Sequence, residues 1–227
     1  MLSDFEDLHK KVFEKVKNNT MTSPERIYSL IEAVKYIERN NIEGDIVECG
    51  VWKGGSMMAV AETLKNLNSI HRSLYLYDTY EGMSEPTEHD KTWHGEMASA
   101  LLTSDTDKEK NLVWAYSALE TVQKGMGSTN YPANKINYVK GKVEDTIPST
   151  KPATIAILRL DTDWYESTIH ELIHLYPLLN KGGVLILDDY GHWQGAKKAV
   201  DEYIAQNKIQ ILLNRIDETG RIAIKQS

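Results

Sequence analysis

Val184-Leu-Ile-Leu-Asp-Asp-Tyr190 and Ile157-Leu-Arg-Leu-Asp-Thr-Asp-Trp164 share one pattern, an apolar run of strand length that stops abruptly in carboxylates. A strand this apolar is buried on both faces, so the acids at its end sit at the rim of a sheet. In open α/β sheets the ligand crevice lies outside the carboxyl ends of the strands. Asp161, Asp163, Asp188 and Asp189 therefore converge on one rim, where they repel one another unless they share a cation. Hard oxygen ligands predict a divalent ion of the Mg²⁺ type. For Asp188-Asp189 alone, helix capping and solvation in a loop would explain the pair better than a metal; the second acidic strand end reverses that balance.

Working outward, the strand pattern repeats. Gly44 to Cys49 reads as a first strand, Leu74 to Tyr77 as a second ending in Asp78, and Ile136 to Val139 as a third. Ile155 to Leu160 and Val184 to Leu187 are the fourth and fifth. Helical stripes separate them: Met57, Val60, Leu64 and Leu67; Ile169, Leu172, Ile173 and Tyr176; then Ala196, Ala199, Val200, Tyr203 and Ile204. Alternating strands and helices predict a doubly wound, mainly parallel sheet with helices on both faces. Ile209 to Leu213 and Arg221 to Ile224, joined through Gly220, predict an antiparallel hairpin at the C-terminal end.

Ahead of the first strand, residues 3 to 17 carry Phe5, Leu8, Val12, Phe13 and Val16 at helical spacing. Ser23-Pro-Glu25 then opens a second helix as cap, first-turn proline and dipole partner. Residues 1–42 form a helical cover on one domain spanning 1–227. The polar, turn-rich stretch at 79–106 is long for a loop in a compact domain and is expected to act as a lid.

Composition narrows the function. The chain has 227 residues, 41% hydrophobic and 26% charged, with a net charge of -7 and no long basic block. Neither nucleic acid nor a membrane surface is the expected partner. The single cysteine, Cys49, allows no intramolecular disulfide and reads as a small buried apolar residue. No apolar run approaches the ~20 residues of a membrane helix, and the N-terminal residues lack signal-peptide character, so the cytoplasm is the expected compartment.

After the first strand comes Glu48-Cys-Gly-Val-Trp-Lys-Gly-Gly-Ser56, a glycine turn into a helix that lacks the spacing of a dinucleotide fingerprint. An acid before the first glycine disfavours a pyrophosphate but suits a sulfonium with an amino-acid tail. Asp78 is placed to accept from a ribose diol. Glu48 has an alternative partner in Lys53, and Arg159, inside a strand, reads as structurally paired.

Five strings now carry a family resemblance: Asp45-Ile-Val-Glu-Cys-Gly-Val-Trp-Lys-Gly-Gly-Ser-Met-Met58, Tyr77-Asp-Thr-Tyr-Glu-Gly-Met83, Val139-Lys-Gly-Lys-Val-Glu-Asp-Thr146, Leu158-Arg-Leu-Asp-Thr-Asp-Trp-Tyr-Glu-Ser-Thr168 and the region from Leu187-Asp-Asp-Tyr190 to Lys197. In this order, from about Thr20 to about Tyr203, the chain resembles the macrocin O-methyltransferases, S-adenosylmethionine- and Mg²⁺-dependent enzymes that methylate sugar hydroxyls. The resemblance implies a class I methyltransferase, a Rossmann-like seven-stranded sheet, and a sugar or glycoside acceptor, with a homo-oligomer possible. It implies donor contacts from Glu48, Gly50, Trp52 and Ser56 at the methionine and ribose, from Asp78, Tyr80 and Gly82 at the ribose and adenine, and from Val143 at the adenine. Thr20 and Met21 would close over the donor, and Asp161 would border it. Asp161, Asp188 and Asp189 would bind Mg²⁺, and Asp163 would be the general base. A catechol or phenol methyltransferase and a non-catalytic donor-binding domain are the alternatives. His192, next to the acidic pair, is either an aid to proton transfer or an exposed turn residue.

Overall fold

The computed structural model describes residues 3–226; Met1, Leu2 and Ser227 lie outside the described residues. Seven strands form one sheet: β1 (Asp45–Cys49), β2 (Leu74–Asp78), β3 (Ile136–Lys140), β4 (Ile155–Leu160), β5 (Leu179–Leu187), β6 (Asn214–Arg215) and β7 (Arg221–Ile224). They lie in the order β3-β2-β1-β4-β5-β7-β6. The first five are parallel, and β7 pairs antiparallel with both β5 and β6. The order reverses between β1 and β4, so the crevice of an open α/β sheet falls at the ends of those two strands.

Side-chain alternation along the strands builds a core on each face. Ile46, Ile157, Val184 and Ile186 enter one cluster, which is covered by α1 (Asp7–Val16), α2 (Pro24–Arg39), α3 (Gly55–Asn66) and α5 (Leu119–Ser128). Val47, Leu158, Leu160, Leu185 and Leu187 enter the other, against α7 (Tyr165–Leu175) and α8 (Gln194–Gln206). The N-terminal pair forms as expected, with the Ser23 hydroxyl accepting from the Arg26 N–H and Pro24 in the first turn. Both helices pack against α3.

Two expectations change. The hairpin is shorter: Ile209 to Leu213 is irregular, and pairing starts only at Asn214. Its apolar alternation has another cause, because Ile209, Ile211 and Leu213 pack against the second core without strand partners. The stretch 79–106 contains a helix, α4 (Ala98–Ser104), and two isolated bridges, Lys91 to Met97 and Thr92 to Trp193. The region before β3 holds α5, whose Val122 and Met126 are sealed in the first core. The short helix α6 (Val143–Thr146) follows β3. Among the described residues, no helix is long and apolar enough to cross a membrane.

Candidate active site

The turn after β1 is shaped by a close approach. Gly50 has φ of +81°, and a Cβ there would stand inside the carbonyl oxygen of Asp161 at the end of β4. Asp78, at the end of β2, fastens the same turn: its Oδ2 accepts from the Val51 and Trp52 N–H groups at 2.7 and 3.1 Å, and its Oδ1 accepts from Tyr80 N–H at 2.7 Å. The Thr79 hydroxyl spends its proton on the Gly82 carbonyl, 2.6 Å away. A carboxylate has about four lone-pair sites, so Oδ1 keeps room for one more donor.

Glu48, Arg159 and Asp188 fall on one face of the sheet. Arg159 Nη1 donates to Glu48 at 2.6 Å and to Asp161 at 2.7 Å, while Nη2 donates to Asp188. The second oxygen of Asp188 accepts from Arg26 of α2, which also binds Asp217 at 2.8 Å and Thr219. Asp188, implied as a metal ligand, thus has both oxygens engaged by guanidinium groups. Asp161, Asp163 and Asp189 come together instead, with one oxygen of each within 4.8 Å of the others. Among the described residues this is the one group of three or more carboxylate, thiolate or imidazole ligands close enough to share an ion. The backbone turns after Asp189, whose carbonyl accepts from the His192 and Trp193 N–H groups on the way into α8.

Burial, opposed by Arg159 but joined by Asp188 and Asp189, carries the Asp161 carboxyl well above its usual range. Burial with Asp163 and Asp188 does the same to Asp189, and burial lifts Asp163 to about 7. Five carboxylates, Glu48, Asp161, Asp163, Asp188 and Asp189, face two cationic partners, Arg26 and Arg159. That imbalance, together with the spacing and hard oxygens of the triad, fits a divalent cation.

One cavity of about 490 Å³ runs from the glycine turn to these carboxylates. Gly50, Trp52, Ser56, Asp78, Gly82, Val143 and all four aspartates of the rim border it, and Thr20 and Met21 close it from the N-terminal segment. Two residues that the resemblance placed at the donor do not border it. Tyr80, at a left-handed φ of 55°, turns its ring into the core and donates its hydroxyl to the Leu76 carbonyl at 3.0 Å, so only its N–H serves the site, through Asp78. Glu48 is sealed behind the turn near Ser56, and its Oε2 has no hydrogen-bond partner. Lys53 does not pair with it, lying instead over the Trp52 ring. Sequence reasoning missed Arg26, Leu112, Ala115 and Lys142, which also border the cavity; no spacing linked them to the acidic strand ends.

Backbone strain marks the same place. Among the described residues, eight non-glycine residues have positive φ. Asn41, Asn68, Asn130 and Lys208 follow the ends of α2, α3, α5 and α8, where a left-handed residue stops a helix. The other four, Trp52, Tyr80, Ala115 and Asp163, line the cavity or flank Asp78.

Residues 14–224 match the macrocin-O-methyltransferase (TylF) family model. Demethyldecarbamoylnovobiocin O-methyltransferase of Streptomyces niveus is 32% identical over 202 residues, 89% of this chain and 74% of that protein. The 8-demethyl-8-(2,3-dimethoxy-alpha-L-rhamnosyl)-tetracenomycin-C 4'-O-methyltransferase of Streptomyces olivaceus is 31% identical over the same shares of each chain. Among solved structures, the O-methyltransferase NovP superposes with a TM-score of 0.80 at 31% identity, covering 92% of this chain and 83% of its own. The calicheamicin methyltransferase CalS11, at a TM-score of 0.65 and 15% identity over 96% and 91%, shares the fold. The chain belongs to the macrocin-O-methyltransferase family, and is accordingly an S-adenosylmethionine-dependent O-methyltransferase.

Proposed function

We propose that this chain methylates a hydroxyl of a sugar carried by a small-molecule glycoside, with help from a divalent ion of the Mg²⁺ type. The observation that carries the proposal is that a donor-sized turn and an under-neutralised carboxylate triad open into one cavity. The relative from Streptomyces olivaceus is named for an acceptor that carries a rhamnosyl group, which supports the choice of acceptor.

On the donor side, the remaining acceptor site on Asp78 suits a ribose hydroxyl. On the acceptor side, Mg²⁺ is often held by only one or two carboxylates beside waters and substrate. Asp161 and Asp189 would be those ligands, and Asp188 would join them only by giving up Arg26. When bound, the donor supplies a methyl group on a sulfonium, and the ion lowers the pKa of the acceptor hydroxyl while fixing its place. Asp163 would take the hydroxyl proton on its carboxylate as the C–O bond forms and the donor's C–S bond breaks, its electron pair staying on the sulfur as a neutral thioether. Its left-handed backbone holds it beside Asp189 rather than in line with the strand.

The test pairs labelled S-adenosylmethionine with a panel of glycosides, catechols and phenols, with Mg²⁺ or after chelation. Glycosides should be methylated only with the ion present. Asp163→Asn should keep donor and metal binding while kcat falls by about 10²–10⁴. Methylation of catechols alone would move the acceptor class, and full activity after exhaustive chelation would remove the ion.

A further inference from the structure

Among the described residues eight large apolar side chains stand exposed, and two of them border this cavity. Met21 and Leu112 border it, and the Trp93 N–H donates to the carbonyl of His192, which borders it too. Trp93 is 58% exposed, while the ring pair Trp164 and Trp193 beside it is sealed in edge-to-face contact at 4.8 Å.

An exposed apolar residue is ordinarily unremarkable, but this one is held in place. Thr92 bridges to Trp193, the Gln194 N–H donates to the Lys91 carbonyl, and the Gln194 side-chain amide donates to the Thr92 carbonyl at 2.9 Å. The Gly95 N–H closes the turn onto the Thr92 carbonyl. The His94 ring lies against the indole with centroids 3.7 Å apart. The backbone of residues 91–93 is thus pinned to the wall that carries Asp189 and His192, and the indole stands in solvent against the His94 ring.

The cavity, at about 490 Å³, lies in the lower part of the ~300–1,000 Å³ range typical of one drug-sized ligand. A cavity of that size suits the donor and little more than one sugar. Whatever the sugar is attached to must leave through the mouth, and Trp93 is hydrogen-bonded through its backbone to His192 on the wall of that cavity.

We propose that Trp93, backed by His94, is a stacking shelf for an uncharged ring on the far side of the acceptor's glycosidic bond. An indole face carries partial negative charge and attracts the C–H edges of a flat or saturated ring. The shelf would therefore set a preference for glycosides of cyclic aglycones over free or simply capped sugars. This rests on the glycoside assignment above.

The probes are monosaccharides presented in pairs, each as its methyl and its 4-nitrophenyl glycoside, assayed with wild type, Trp93→Ala and Trp93→Phe. Wild type should favour the aryl member. Trp93→Ala should raise KM for the aryl glycoside about fivefold to tenfold, with kcat within about twofold and the methyl glycoside unaffected. Trp93→Phe should recover most of the loss. Donor affinity and the thermal midpoint should not move, which separates a shelf from a folding defect. An aryl-to-methyl KM ratio that is the same in wild type and Trp93→Ala would overturn the shelf. A wild type that binds donor yet methylates neither member of any pair would remove the glycoside assignment itself, and the shelf with it.

Discussion

Glu48 and Arg159 stand opposite each other in register on β1 and β4, and their side chains meet at 2.6 Å with both sealed from solvent. The same guanidinium holds Asp161 and Asp188, so one cation in the floor of the site gathers three carboxylates. Removing one member of a buried ion pair costs about 3–5 kcal/mol, because the partner is left uncompensated. Arg159→Met is expected to lose that much in urea denaturation. Arg159→Lys should recover little, since a single ammonium cannot reproduce a fork that serves three acids from two nitrogens. A loss under about 1 kcal/mol would mean that the cluster is solvated in solution.

Arg26 decides whether Asp188 can meet an ion. It holds one oxygen of Asp188 and the Asp217 carboxylate, tying α2 to the ends of β5 and β6. Arg26→Met should cost about 1–3 kcal/mol in metal-free buffer, the penalty for buried acceptors without a donor. It also frees an oxygen beside Asp161 and Asp189. A ligand that binds only the folded state stabilises it by RT ln(1 + [L]/Kd), so added Mg²⁺ should raise the melting temperature of Arg26→Met more than that of wild type. Equal increments would show that Asp188 stays outside the ion's reach.

Asp217 gives the protein an acid-sensitive joint. Burial pushes its carboxyl up, but the Ser23 hydroxyl, the Gly220 N–H and Arg26 outweigh burial and bring it down to about 2. A carboxyl whose folded pKa lies below its unfolded value contributes stability that is complete above the unfolded pKa, near 3.9, and is lost as pH falls through the folded one. The stability gap between wild type and Asp217→Asn should therefore be constant above about pH 5 and narrow steadily from about pH 4 downward. Thermal melts of both proteins at stepped pH measure it, and a gap that widens on acidification would reverse the assignment.

The sequence made the sheet legible because burial on both faces leaves short, unbroken apolar runs that stop abruptly at the rim, and Val184 to Leu187, shared between the two cores, shows it plainly. The glycine turn was legible for a similar reason: only a close backbone approach demands glycine at position 50. Asp188 was half legible. Its parity with Arg159 was present in the strings, but Arg26, which takes its second oxygen, lies 162 residues away. Tyr80 shows a different limit, since a motif can place a residue beside a site without saying which way a left-handed backbone will throw its ring. Ile209 to Leu213 misled because alternation reports which side chains are buried, not whether the backbone finds a partner. In α5, Gly125 and Gly127 dilute the helical signal carried by Val122 and Met126.

Asp90 argues for a wall where length and polarity suggested a lid. It is fully buried; Oδ1 accepts from the Tyr165 N–H at 2.8 Å, and Oδ2 accepts from the Thr87 N–H and hydroxyl at 2.6 and 2.9 Å. The Trp164 indole reaches back to the Ser84 carbonyl at 3.0 Å. Amide exchange tracks local opening, so the N–H groups of Thr87, Trp93 and Ala98 should exchange slowly, at rates closer to α7 than to the exposed turn at 105–109. Asp90→Ala should release all three together and cost about 1–3 kcal/mol. Fast exchange across 87–98 in the wild type would restore the lid.

Gly50→Ala tests whether donor and metal sites are one device. The Gly50 N–H donates to the Tyr77 carbonyl at 2.9 Å, and the Asp161 N–H donates to the Cys49 carbonyl at 2.8 Å, so the ends of β1, β2 and β4 are sewn together at this residue. A methyl group there costs roughly 1–2 kcal/mol for the left-handed backbone alone, and it also forces the Asp161 carbonyl away. Because Asp161 belongs to the carboxylate triad and Gly50 to the donor turn packed against it, both S-adenosylmethionine and Mg²⁺ affinity should fall together in calorimetric titrations. Gly127→Ala is the control: its site in α5 has open space around it, and alanine inside a helix is worth about 0.5–1 kcal/mol over glycine. That variant should be slightly more stable than wild type with both affinities intact. If Gly50→Ala weakened the donor but left the ion's affinity unchanged, the two ends of the cavity would have to be treated as independent sites that merely share a wall.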